Sequence, residues 1–346
     1  MMMPLADAIA TGPFSIVVEI VASGVKREAQ VLEIGSDLAN IPAVVAGSIA
    51  SYADGKVGQD PLRVGAAVRA RGLQPNIHLT CATHDRVAIR QTLREMRALG
   101  LFNVFALTGE RPAATEPRRA QGDQAHAPEH APDLDSVQLT EMIAQLRANE
   151  GTPFHITVAV SPFLYTREPC LAQYQRLEQK VAAGANLAVT QAGWDARKFA
   201  ELKRYVSDRG LGIPLLGNVH VLSRRAAEQM AAANPPRHAV STPLLDALRR
   251  ESDAADGGLH ARLERAAGTL AVLKGLGYAG AYITGTASAD QITEILHRAG
   301  ELEGQWQRCA DDLQFGTPDG FYLDAPSWTS PPATGATTAQ PVPSQS

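Results

Sequence analysis

The sequence predicts an α/β protein, a single (β/α)8 barrel whose chemistry sits at the C-terminal ends of its strands. Three observations predict it. Eight short, mostly apolar runs alternate with amphipathic segments, as parallel strands covered by helices require. The count of eight favours closure over an open doubly wound sheet. The length, 346 residues, is one that a single α/β barrel commonly fills.

The predicted strands are Phe14–Ile20, Ala43–Ile49, Asn76–Cys81, Asn103–Leu107, Phe154–Val160, Asn186–Thr190, Pro214–Val219 and Gly280–Thr284. Ala239–Ser241 is a possible further short strand. Between them, Arg86–Leu99 places Val87, Ile89, Leu93, Met96 and Leu99 at helical spacing, and Leu139–Leu146, Cys170–Ala183, Phe199–Val206 and Ala266–Leu276 read likewise. Gly184, Gly210 and Gly277 stand where helix-ending glycines belong. Residues 1–13 read as an N-terminal extension and 14–330 as the barrel. Within it, 111–132 is rich in Ala, Pro, Gln and charge, and 331–346 is a Pro/Thr/Ser tail. Neither has apolar surface to offset ordering entropy, so a disordered loop and tail are expected.

A formal charge of −4 and the absence of a basic block argue against a nucleic-acid or anionic-membrane binder. Cys81, Cys170 and Cys309 are scattered and odd in number, which speaks against a disulfide frame or zinc site and for a reducing, cytoplasmic setting. No signal-peptide pattern or apolar run long enough to span a bilayer is evident. GxGxxG after the first strand, GxxxxGK[ST], HExxH and GxSxG are all missing, so no metal site is expected.

Polar groups recur where the strands end. Glu19 is a carboxylate inside an apolar strand, which suits either a general acid of raised pKa or a salt bridge to a barrel cation. His78 is a proton donor, a ligand partner or a satisfied core histidine. Gln191 and Asn218 carry amides that can read a heterocycle edge or tie loops together. Ser48, Ser51, Thr80, Thr108, Gly109, Glu110, Ser161, Thr190, Trp194, Asp195, His220, Tyr282, Thr284 and Gly285 complete the set.

These strand ends also carry a pattern. His78-Leu79-Thr80-Cys81, Ala106-Leu107-Thr108-Gly109-Glu110, and Lys180-Val181-Ala182-Ala183-Gly184-Ala185-Asn186 running into Val189-Thr190-Gln191 resemble, in order and spacing, the methylenetetrahydrofolate reductase family. Asp133–Leu139 and Gly217–Leu222 look like a divergent bacterial branch, and the similarity spans roughly residues 14–299. The resemblance implies an FAD-binding barrel that interconverts 5,10-methylenetetrahydrofolate and 5-methyltetrahydrofolate. It makes Glu19 the acid for ring opening, puts Glu110 near the flavin, and has Gln191 contact folate. His78, Thr80, Thr108, Gly109, Ser161 and Lys180 fall on the FAD side, with Arg176 one turn before Lys180. Asn218 and Tyr282 fall on the substrate side. The sequence departs from the family after Glu19, after strand two (Gly47–Tyr52), after Gln191 (Ala192-Gly193-Trp194) and near Arg224. Those departures leave open the electron partner (NAD(P)H or another carrier); the sequence also leaves open the direction and the oligomeric state, a homo-oligomer included. A flavin-free pterin barrel for methyl transfer and a non-catalytic folate-binding accessory protein are the rival readings.

Overall fold

The computed structural model describes residues 3–12, 14–22, 28–50, 52–53, 56–82, 84–109, 134–233 and 238–323. Eight parallel strands close into a barrel in sequential order: β1 Ser15–Val21, β2 Val44–Ala50, β3 Gln74–Thr80, β4 Asn103–Leu107, β5 His155–Val160, β6 Leu187–Thr190, β7 Leu215–His220 and β8 Gly280–Thr284. The helices are α1 Leu5–Thr11, α2 Glu28–Ala39, α3 Pro61–Ala70, α4 Arg86–Ala98, α5 Ser136–Glu150, α6 Arg167–Ala182, α7 Ala196–Asp208, α8 Arg224–Ala232, α9 Thr242–Glu251, α10 Leu259–Gly275, α11 Ala289–Leu302 and α12 Trp306–Asp312. A short antiparallel ribbon pairs 52–53 with 56–57. Among the described residues no helix is long and apolar enough to cross a membrane.

Local chemistry explains the helix ends. Asp85, Asp135, Asp195, Ser223, Ser241 and Ser288 each accept a backbone N–H in the first turn that follows them. Asp135 and Gln138 form a reciprocal capping box on α5. Gly184, Gly210 and Gly277 follow their helices in the left-handed region, φ 107°, 58° and 75°. Residues 239–241 form no strand; Ser241 is the N-cap of α9, and a serine in that role has no need of sheet pairing. The loop 111–132 and the tail 331–346 lie outside the described residues.

The strands' outward side chains pack against the helices in one large core. A second, smaller cluster fills the barrel itself: Val17, Ala46, Phe105, Leu187, Val189, Leu216 and Tyr282, joined from below by Leu5 and Ile9 of α1. The N-terminal segment is therefore a plug under the barrel, fastened where Ser15 Oγ donates to the Ala8 carbonyl at 3.0 Å. Strand side chains alternate between faces, so the next inward positions follow two residues later. On β1 Val17 is followed by Glu19, on β2 Ala46 by Ser48, on β7 Leu216 by Asn218 and on β8 Tyr282 by Thr284. The lower barrel is apolar and its mouth polar.

Candidate active site

The mouth is built on an aromatic floor. The His78 ring meets Phe105 edge-on at 4.9 Å between centroids, and Phe105 meets Tyr282 likewise at 5.9 Å. Glu19 lies beside Ser48 in the β1–β2 register, and Ser48 beside Asn76 in β2–β3. Tyr282 is buried and its hydroxyl donates to the Glu19 carboxyl. The same hydroxyl lies 3.2 Å from His78 Nε2, and Ser48 Oγ lies 2.9 Å from that nitrogen. Asn76 Nδ2 donates to Ser48 Oγ at 3.2 Å. Four strands thus contribute to one network around Glu19.

Among the described residues Glu19 has no ion pair, so a salt bridge is not what holds it there. Removal of water by the surrounding strands pushes its pKa up to about 7, and the Tyr282 hydrogen bond pulls back only part of that rise. Burial holds His78 neutral, its pKa down at about 4. A carboxyl that is half protonated near neutral pH, next to a neutral imidazole, is suited to give or take one proton.

Gln191 extends β6 by one inward position, its N–H donating to the Val160 carbonyl at 2.8 Å. Its carboxamide makes no hydrogen bond among the described residues and is partly exposed, which leaves it to a ligand. Asn218 is more committed. Its N–H donates to Thr190 Oγ1 at 2.8 Å, and its Oδ1 accepts from Thr284 Oγ1 at 2.9 Å. Since Thr284 donates there, it accepts from His220 Nδ1 at 2.8 Å, which sets the His220 tautomer. Burial keeps that ring neutral, with a pKa near 4. Trp194 meets His220 edge-on at 6.0 Å, and its buried indole N–H has no partner among the described residues.

The residues expected on the cofactor side occupy one sector. Thr80 Oγ1 donates to the Thr108 carbonyl and accepts from Ala82 N–H, both at 3.2 Å, tying the ends of β3 and β4. Gly109 follows with φ 79°, and a Cβ there would lie 1.6 Å from Thr80 Oγ1. Only glycine fits. Gly109→Ala is expected to cost about 2–4 kcal/mol from left-handed strain plus overlap, read by thermal melting; an unchanged melt would mean the loop takes another path. Ser161 is half-buried just past β5. Glu110 lies outside the described residues.

Arg176 pairs with Asp135 at 2.9 Å. Lys180 is buried, and its ammonium donates to the Ala159 carbonyl at 2.6 Å. Burial first, and the neighbouring Arg176 charge second, push the Lys180 pKa down to about 8. A buried ammonium whose bonded partner is a neutral carbonyl, with a second cation one helical turn away, is an arrangement that an anion would stabilise. A dinucleotide diphosphate fits that chemistry.

Sequence reasoning missed Ser48 and Asn76 as members of the Glu19 network, and Tyr282 as its hydrogen-bond donor. Period two marks all three as inward, but which inward positions meet Glu19 is set by strand register.

Fold and mouth together define a barrel of the (β/α)8 class with a carboxyl and two carboxamides gathered on its C-terminal face, where such barrels hold their ligands. A sequence model described as methylenetetrahydrofolate reductase matches residues 48–255, more than half of the chain, and the chain belongs to that family. It is 24% identical over 188 residues to a probable methylenetetrahydrofolate reductase (NADPH) of Caenorhabditis elegans, covering 53% of this chain and 26% of that one. It is 24% identical over 149 residues to the 5,10-methylenetetrahydrofolate reductase of Salmonella typhimurium, covering 43% and 44%. The match thus spans less than half the length of these curated relatives. Among solved structures, an uncharacterized protein from Clostridium thermocellum, described as binding two copies of 5-methyl-5,6,7,8-tetrahydrofolic acid, shares the fold. It has a TM-score of 0.58 and 11% identity, and the match covers 87% of this chain and 99% of that one.

Proposed function

We propose that this protein is a flavin-dependent oxidoreductase that interconverts 5,10-methylenetetrahydrofolate and 5-methyltetrahydrofolate. Family membership supports the folate substrate. The observation that carries the chemistry is Glu19, a carboxyl that has no ion pair among the described residues at the barrel mouth, with its pKa near 7. In its acid form Glu19 gives a proton to folate N10 as the five-membered ring opens, and in the reverse direction its carboxylate takes that proton back. Tyr282 holds the carboxyl in place. Gln191 orients the pterin through paired donor and acceptor groups. Arg176 and Lys180 would hold the diphosphate of FAD, with Thr108, Gly109 and Ser161 beside it. FAD, when bound, supplies the hydride chemistry at its N5. The aromatic floor and the apolar lower barrel keep water from the site below.

Purified protein tests this directly. It is expected to carry flavin absorbance that 5-methyltetrahydrofolate bleaches without oxygen, with NADH assayed separately for the other half-reaction. Colourless protein that binds 5-methyltetrahydrofolate would favour the flavin-free rival. Protein that binds neither would defeat both.

A further inference from the structure

The segment after α12 folds back over the catalytic face, beyond the residues that the family match covers. Its backbone pairs with the turn between β6 and α7. The Ala196 N–H donates to the Leu313 carbonyl at 2.8 Å, and the Phe315 N–H to the Trp194 carbonyl at 3.0 Å, flanking an antiparallel bridge between Asp195 and Gln314. The first contact satisfies an N-terminal N–H of α7 that its own helix leaves open.

Side chains lock the same turn. Asp195 is buried; its Oδ1 accepts from the Arg197 N–H at 3.0 Å, and its Oδ2 from Tyr322 at 2.6 Å and Tyr165 at 3.0 Å. The Arg197 guanidinium stacks 3.6 Å over the Tyr322 ring. Further along, the Leu323 N–H donates to Glu201 Oε2 at 2.6 Å, and the Phe321 N–H to the Tyr165 carbonyl at 2.9 Å. Gly316 sits so close that a Cβ would lie 2.3 Å from the Tyr322 hydroxyl and 2.5 Å from Asp195 Oδ2. The segment therefore grips two loops of the mouth, one leaving β5 and one leaving β6.

The β6 loop begins with Gln191. Gly193, two residues on, lies flat against the Phe163 ring, where a Cβ would meet ring atoms at 2.3 Å. The loop is thus pressed from one side by Phe163 and held from the other by the returning chain. We infer that residues 313–323 form a strap that positions Gln191 for folate, so that the C-terminal segment is a working part of the ligand site. This rests on the assignment of Gln191 to folate made above. Tyr322 and Asp195 are positioning residues in this account, since they act through the turn that follows Gln191.

Two substitutions separate the strap from the rest of the fold. Tyr322→Phe removes one anchor, and Gly316→Ala drives a methyl between the Tyr322 hydroxyl and Asp195. Hydrogen exchange over 191–198 and calorimetric titration with 5-methyltetrahydrofolate are the readouts, with circular dichroism to show the barrel is folded. Both variants are expected to exchange the Ala196 amide about tenfold faster or more and to bind 5-methyltetrahydrofolate about tenfold more weakly, the strength of a hydrogen bond to a buried charge. Unchanged exchange in both variants overturns the strap. Faster exchange with unaltered affinity overturns its role in positioning Gln191. A full-length chain that does not bind 5-methyltetrahydrofolate at all overturns the folate assignment and this positioning role with it, while the exchange data still decide whether the strap holds the turn.

Discussion

Glu19→Gln should lose about 10²–10⁴-fold in folate turnover while keeping its cofactor, the usual size of a general acid's contribution. The amide keeps the shape and the hydrogen bond from Tyr282 but cannot exchange a proton. Steady-state assay with 5-methyltetrahydrofolate reads the effect, and unchanged turnover would remove Glu19 from the mechanism. The same variant carries a stability signature of opposite sign. The Glu19 pKa is raised from 4.5 to about 7 in the folded protein. The folded state therefore binds its proton more tightly, and the stability this contributes is full below 4.5 and lost as pH rises through about 7. At pH 8 the Gln variant, with no charge to bury, is expected to be more stable by about 2–3 kcal/mol. At pH 4 the difference should vanish. Tyr282→Phe gives a third reading of the same group. It deletes the hydrogen bond that favours the carboxylate, so the alkaline limb of the proton-donating direction should move above pH 7; a limb that stays or falls would contradict the pairing.

Glu201→Gln should be among the most destabilising single changes in the molecule, about 3–5 kcal/mol, because it strands a buried ammonium. Lys198 and Glu201 are essentially inaccessible and 2.9 Å apart, at 0% and 2% side-chain exposure. Tyr174 also donates to Glu201 Oε1, at 2.6 Å, and Lys198 lies 4.8 Å from the Tyr322 ring centroid. In a chain of this size the loss should lower the melting temperature by roughly 4–7 °C. Arg63→Ala is the control. It breaks the Arg63–Glu28 pair, which is 58% and 34% exposed, and should cost less than about 1 kcal/mol. Joint replacement, Lys198→Met with Glu201→Leu, should recover only part of the loss: no unpaired charge remains, but the Tyr174 hydroxyl and the Leu323 N–H lose their acceptor. Equal shifts for Glu201→Gln and Arg63→Ala would refute the argument.

The barrel was legible from local pattern because each strand and helix writes its own period. The predicted strands β4 and β8 coincide with those observed, and the other six differ by one or two residues at one or both ends, where fraying and caps decide. Glu19 was legible for the same reason: a carboxylate in an apolar strand stands out against its neighbours. Its partners were not. His78 lies 30 residues from Ser48 and 204 from Tyr282 in the chain, and each of the three is unremarkable in its own strand. The network they form exists because the register of three strand pairs brings inward positions to one height.

The sequence by itself determined the alternation of elements, the helix caps, the acid in the first strand and the family motifs at the strand ends, all of which depend on residues near one another in the chain. Tertiary structure alone decided that Glu19 has Tyr282, and among the described residues no cation, beside it. It alone brought Lys180 to a neutral carbonyl, and it alone returned the segment 313–323 across the mouth to hold Asp195. The reason is physical. Burial and pairing depend on which distant strands share a layer, and that is set when the barrel closes.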